Sequence, residues 1–324
     1  MTLPSDPAEL LSQARSGNRR ALARALSVVE RGGPEGAAVV RAAWAAEPDG
    51  AFTVGLTGAP GAGKSTLSAS LCAELLRRER SVAVLAIDPS SPFSGGAILG
   101  DRVRMGDVAA SEDIYIRSMA TRGHLGGLAG ATRDAISVLG AVGRDWVVVE
   151  TVGVGQVETE IAGAADTTVV VVNPGWGDAI QANKAGLMEI ADVFAVNKAD
   201  RDGARDTVAD LEAMLNLAGH PAWRPPVVAT VGTTGEGAAL LVDAIEAHSA
   251  HQRECGELAR RRVNQRAERL TEVAGVRLKR SLDAVLDTDW GRSLRLEVEQ
   301  AAIDPWSAAD RLLDRVVERI RTDG

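Results

Sequence analysis

The sequence predicts an α/β fold: a mainly parallel sheet with helices on both faces, an N-terminal helical segment before it and a C-terminal helical arm after it. Two observations carry this. Between residues 51 and 231 short β-branched runs alternate with helical patterns, an order that needs crossover connections and so parallel strands. After Gly237 the strand-like runs stop, and residues 239 to 287 contain no proline. The chain has 324 residues and is 45% hydrophobic, enough for one large α/β domain with an appendage.

Taken in order, residues 8 to 30 read as one amphipathic helix or two short ones, because Leu10, Leu11, Ala14, Leu22, Leu26 and Val29 recur at three- and four-residue steps. Gly32, Gly33 and Pro34 break that pattern. Seven strand-like runs follow: FTVGLTG, SVAVLAID, IYIRS, WVVVET, TTVVVVN, VFAVNKAD and PVVATV. Their near-continuous apolar character fits strands buried on both faces, and their polar tails fall where open parallel sheets bind ligands. Residues 239 to 287, if one helix, would extend about 70 Å, so the stretch must bend back or pack on another chain. Gly275 interrupts its apolar pattern. The final helix is expected to start at Ser307, with Asp310 as the reciprocal cap. The expected organisation is a helical segment over 1–45, a nucleotide-binding domain over 46–240 and a helical dimerisation region over 241–324.

Cys72 and Cys255 lie far apart, and neither belongs to a Cys/His cluster, which argues against a disulfide framework and a structural zinc. No apolar run approaches the roughly 18 residues of a membrane span, so a soluble cytoplasmic protein without a membrane partner is expected. The net charge is −8, yet residues 252 to 280 hold nine Arg/Lys against four Glu. Those charges interleave with leucines at helical spacing, which reads as a solvated helix face; no nucleic-acid partner is expected.

The chemistry lies at the strand tails. Gly58, Ala59, Pro60, Gly61, Ala62, Gly63, Lys64, Ser65 and Thr66 match GxxxxGK[ST] between a strand and a helix. Such a loop turns its amides toward phosphates, its lysine reaches the terminal phosphates, and Ser65 offers a hydroxyl to Mg2+. This places the fold among P-loop NTPases. Asn197, Lys198 and Asp200 form NKAD at a later strand end. A carboxylate at Asp200 accepts both hydrogen bonds from the N1 and exocyclic amine of guanine, a donor pair adenine lacks, so GTP and GDP are the expected nucleotides. The loop after the next strand, with Val231, Gly232 and Thr233, can close over the base through backbone amides.

Carboxylates come next. WVVVETVG ends a strand in Glu150, followed by Gly153, where GTPases of this class carry Asp-x-x-Gly for the magnesium shell and the γ-phosphate. Asp88 ends the second strand and Asp101 follows a glycine-rich loop. With Ser65, the carboxylates Asp88, Asp101 and Glu150 are the candidate metal set, and with Lys64 the candidate catalytic set.

The ordered set GAPGAGKST, AIDPSSPFSGGAILGDRVRM, RSMATRGHLGGLAGAT, ETVGVGQVE, NPGWGDAIQANKAG and NKAD closely resembles the ArgK/MeaB family of GTPases, the G-protein chaperones of adenosylcobalamin-dependent methylmalonyl-CoA mutase. The resemblance spans about residues 10 to 320. It implies a Mg2+-dependent GTPase that associates with an acyl-CoA mutase, gates loading of the cobalamin, protects the mutase, and dimerises through its C-terminal helices. It also assigns a switch role to Gly153 and Gln156 and, in the loop from Asn173 to Lys184, to Asp178, Gln181 and Lys184. Val231-Gly232-Thr233 departs from the Ser-Ala-Leu usual in relatives. Arg122 and His124 match the family without an assigned role. The alternatives are a metal-insertion GTPase, which the sparse Cys and His disfavour; a transport-associated kinase or ATPase, which Asp200 disfavours; and a binding module without turnover.

Overall fold

The computed structural model describes residues 4–47, 50–89, 113–121, 127–151, 161–175, 189–217 and 222–323. Helices α1 (Pro7–Arg15), α2 (Arg19–Arg31) and α3 (Gly33–Ala46) open the chain. The amphipathic pattern of residues 8 to 30 is two helices, because Asp6 caps the first and Asn18 the second, each through its side-chain oxygen on free amides of the first turn. The Gly32-Gly33-Pro34 sequence does not end the helical segment. It starts α3, whose first turn tolerates a proline because that turn has amides without intrahelical acceptors.

The sheet is built from β1 (Phe52–Thr57), β2 (Val82–Pro89), β3 (Ile114–Thr121), β4 (Trp146–Thr151), β5 (Thr167–Val172), β6 (Val193–Asn197) and β7 (Val227–Thr230). All seven expected strands are present, in the order β3-β2-β4-β1-β5-β6-β7, and every pairing is parallel. The crossovers include α4 (Lys64–Arg77), α5 (Gly127–Ala141) and α6 (Ala204–Leu217). β1 lies between β4 and β5, and the chain leaves it toward β2 on one side before crossing to β5 on the other. The carboxyl end of β1 is therefore a topological switch point, where the crevice for a ligand opens.

Alternation of side chains divides the core. Phe52, Val54 and Leu56 face Leu67, Leu71 and Leu75 of α4 and Leu241, Val242 and Ile245 of α7 (Ala238–Glu254). On the other face Leu85, Ile87, Val147 and Val149 meet Leu22 and Leu26 of α2 and Val138 and Leu139 of α5. Each such leucine or isoleucine contributes about 1.5–3 kcal/mol by leaving water. The N-terminal helices are thus one cover of the sheet, and α4 with α7 the other.

The long proline-free stretch is two helices, α7 and α8 (Glu257–Leu286), broken at Gly256 with φ +74°, so the continuous helix of about 70 Å does not form. Gly275, where the pattern faltered, stays inside α8. The first turns of α8 are held by aspartates that precede two strands. Arg262 pairs with Asp166 at 2.8 Å and Arg261 with Asp192 at 2.9 Å, while the same aspartates accept the amides of Thr53 and Thr168. By contact density the chain forms two compact units that divide α8 between Gln265 and Arg266. In the second unit, α9 (Asp289–Glu299) turns off α8 where a Cβ on Gly291 would sit 2.3 Å from the Val285 carbonyl, and Thr288 caps it. The last helix, α10 (Pro305–Asp323), begins two residues before the expected Ser307. Its cap is Asp304, which accepts the amides of Trp306 and Ser307 at 3.0 Å each and is held below the usual carboxylate range mainly by Ser307. Ser307 is a donor to that cap rather than the cap. Among the described residues no helix is long and apolar enough to cross a membrane.

Candidate guanine nucleotide site

The loop from Gly58 to Gly63 leaves the carboxyl end of β1 and feeds α4 directly. Gly58 has φ +134°, and a Cβ there would lie 2.0 Å from the Val171 carbonyl, so only glycine lets the chain turn this tightly against β5. Gly63, at φ +89°, starts α4 in the left-handed region and leaves the first amides of the helix facing the crevice. Lys64 is buried, and its Nζ curls across the loop to the carbonyls of Gly58 at 2.6 Å and Ala59 at 3.0 Å. Lysine, loop amides and helix terminus thus surround one space fit for phosphate oxygens.

Glu150 sits in β4 opposite Leu56 of β1, on the sheet face that α4 covers. It is 3% exposed, and the Ser65 hydroxyl donates to its Oε1. Two groups 85 residues apart, expected to share a magnesium shell, are therefore in contact. A hydroxyl oxygen beside a buried carboxylate suits a hard cation that takes its remaining ligands from water and phosphate, and among the described residues no cluster of three His, Cys, Asp or Glu offers an alternative metal site. The field of Glu150 extends inward: burial first, and the Glu150 charge second, push the Cys72 thiol up to about 12, which makes it an inert core residue.

Asn197, at the end of β6, has a second role that the motif alone does not disclose. Its Nδ2 donates to the Ala62 carbonyl at 2.8 Å, and its Oδ1 accepts the Gly232 amide at 3.0 Å, so it fastens the phosphate loop to the loop after β7. Lys198 has φ +59° and donates to the Gly61 carbonyl at 2.6 Å, and Asp200 stands exposed beyond it. Ser70, absent from the sequence reading, adds another tie, donating to the Gly232 carbonyl at 2.9 Å. Ser70 lies in no motif; only its place on α4 facing the β7 loop reveals it. In that loop the Val231 amide is taken by the Glu236 carbonyl and the Gly232 amide by Asn197, while the Thr233 amide donates to no group among the described residues.

Asp88 lies in β2, one residue past the Ile87–Thr151 pair, at the same carboxyl edge of the sheet; its side chain is outside the described residues. Asp101, Gly153, Gln156, Asp178, Gln181 and Lys184 are also outside them.

The family model for the methylmalonyl Co-A mutase-associated GTPase MeaB matches residues 22–285. A Pyrococcus horikoshii protein named as a GTPase is 44% identical over 316 residues, covering 96% of this chain and 98% of its own. The mouse mitochondrial methylmalonic aciduria type A homolog is 38% identical over 219 residues, 66% of this chain and 53% of its own length. Among solved structures, that of a LAO/AO transport system kinase superposes with a TM-score of 0.71 at 28% identity, over 98% of this chain and 99% of the other.

Proposed function

This chain belongs to the MeaB family of GTPases, and from that premise we propose that it is a Mg2+-dependent guanine nucleotide switch that serves an adenosylcobalamin-dependent acyl-CoA mutase, most simply methylmalonyl-CoA mutase. The contact between Ser65 and Glu150 carries the chemical half of this reading, since it joins the start of the phosphate-loop helix to a strand-end carboxylate. The amides of residues 58 to 66 and the Lys64 ammonium bind and orient the β- and γ-phosphates. Ser65 and Glu150, with Asp88 and Asp101, would hold Mg2+, which would neutralise phosphate charge during transfer. Asp200 accepts the guanine donor pair, and the Thr233 amide covers the base. Asn197 keeps the base loop and the phosphate loop in one frame. Gly153, Gln156, Asp178, Gln181 and Lys184 transmit nucleotide state to the mutase, and the exposed apolar side chains of α8 to α10 bury against a second copy of the chain.

The client is supported by the family match and by the mouse relative. GTP hydrolysis measured with and without a purified cobalamin-dependent mutase tests it. The expected result is a stable complex whose hydrolysis rate and affinity change with the nucleotide. A mutase that neither binds nor alters turnover removes the client from this reading and leaves the GTPase. ATP turned over as readily as GTP would favour the transport-kinase alternative instead.

A further inference from the structure

The amino-terminal edge of the sheet holds a cavity that the guanine nucleotide site does not use. Its volume is about 770 Å3, and Phe52 and Trp146, the first residues of β1 and β4, line it with rings that meet edge to face at 4.9 Å. The length of β1 separates it from the phosphate loop, roughly 17 Å at the rise of a parallel strand. Arginines dominate the wall: Arg80 just after α4, Arg144 just before β4, Arg253 in the last turn of α7, and Arg262 on α8.

The acids nearby are mostly committed elsewhere. Asp145 accepts the amide and hydroxyl of Ser81 at 2.8 Å each, Glu246 takes Arg78 at 2.9 Å, and Asp166 holds Arg262, so of the lining acids Glu47 alone has no such commitment among the described residues. The side chains of Arg80 and Arg253 make no hydrogen bond or ion pair among the described residues. Arg144 is half-buried, and the only such partner of its side chain among the described residues is the backbone carbonyl of Asp113 at 3.0 Å. Ser249 also lines the cavity; it is 5% exposed, and its hydroxyl has no hydrogen-bond partner among the described residues.

The Arg80, Arg144 and Arg253 guanidinium groups form no ion pair with a carboxylate among the described residues, and one of them is partly desolvated; their mutual repulsion costs free energy that a bound anion offsets. Burial, and then the charge of Arg19, hold Arg144 below the usual guanidinium range despite Asp113 and Asp145 nearby. The planar fork of arginine matches phosphate oxygens two at a time, and the volume lies within the roughly 300–1,000 Å3 of small-molecule sites. We propose that this cavity is a second ligand site, which takes a phosphate-bearing small molecule through Arg80, Arg144, Arg253 and the Ser249 hydroxyl. The occupant touches the ends of α4 and α7, the two helices that start at the phosphate loop and the base loop and are tied together by Arg78 through Asp243 at 2.8 Å and Glu246.

Calorimetric titration of the full-length, GDP-saturated protein with inorganic pyrophosphate tests this, with a fluorescent GDP analogue reporting that the phosphate loop stays filled. Saturable binding of one pyrophosphate per chain is expected. Arg253→Gln, at an exposed position, and Arg144→Gln should each weaken it by about tenfold, and Ser249→Ala severalfold, with GDP affinity unchanged. No saturable binding at millimolar pyrophosphate overturns the proposal, as does binding that Arg253→Gln and Arg144→Gln leave intact. Should Arg144→Gln lose GDP as well, the fold is damaged and Arg253→Gln decides alone. Arginine-dependent binding of a polyglutamate peptide with none of pyrophosphate would overturn the small-molecule assignment and mark a protein-docking surface.

Discussion

The role proposed for Glu150 depends on the reach of its side chain. Its carboxylate accepts the Ser65 hydroxyl from a strand position level with Leu56, two residues short of the phosphate loop. Glu150→Gln keeps the shape and removes the charge. GTP hydrolysis should fall by about 10²-fold or more while GDP affinity stays nearly intact, because charge placement matters most when the phosphoryl group is in transfer. Glu150→Asp keeps the charge but shortens the side chain by about 1.5 Å, and should also turn over more slowly than wild type. Single-turnover rates alongside GDP calorimetry check both; normal hydrolysis by the glutamine variant would reduce Glu150 to a strand-end carboxylate. Asp200 is a simpler case, exposed and free to meet the base. Asp200→Asn should weaken GTP by about tenfold or more, roughly 1.4 kcal/mol, and make xanthosine triphosphate the better ligand. Competition between the two nucleotides reads this directly.

At the scale of elements, the junction of α7 and α8 rests on a polar cluster under β5 and β6. His248 lies on α7 with its Nδ1 2.8 Å from the Thr167 hydroxyl and its Nε2 3.3 Å from Asp192. The Trp223 ring lies tilted against the imidazole with its centroid 4.9 Å away and donates its indole N–H to the Asp192 carbonyl. Burial holds the imidazole below its ordinary value of 6.5; Asp192 and Asp166 oppose this, while Arg261 and His251 reinforce it. The folded protein therefore binds fewer protons here than the unfolded chain once pH drops below 6.5. This contribution to stability is complete above that pH and is lost as pH falls toward the depressed folded value. The melting temperature should decline between about pH 7.5 and about pH 5.5, and His248→Gln should flatten that slope relative to wild type. Equal slopes would show that His248 does not titrate on unfolding.

For the whole molecule, the second unit exposes Leu270, Leu278, Leu296, Trp306, Leu313 and Val317 and buries few residues of its own. Apolar surface of that extent on helices calls for a partner, and a second copy is the simplest one. The full chain should be a dimer by light scattering at micromolar concentration. A chain ending at Gln265 keeps the sheet, its helical covers and the Arg261 and Arg262 anchors, so it should be monomeric and still bind GDP. A full-length monomer would refute this reading of the second unit.

Local chemistry was legible in the sequence wherever neighbouring residues supply it. The seven strands follow from runs of valine and isoleucine, and the phosphate loop follows from glycines, a lysine and a serine within nine positions. Only tertiary structure could show that Asn197 bridges two loops, that Ser70 joins them, or that Ser65 meets Glu150, because these contacts cross 135, 162 and 85 residues. Helix ends fell between the two cases. Gly256 outweighed Gly275 because a turn requires the left-handed backbone, whereas a helix merely tolerates a residue without a side chain; Asp304 displaced Ser307 because its carboxylate reaches two amides of the first turn. The arginine-lined cavity had no trace in the linear pattern: its charges come from two connections and two helices far apart in sequence, and the parallel register that sets Phe52 beside Trp146 helps gather them at one edge.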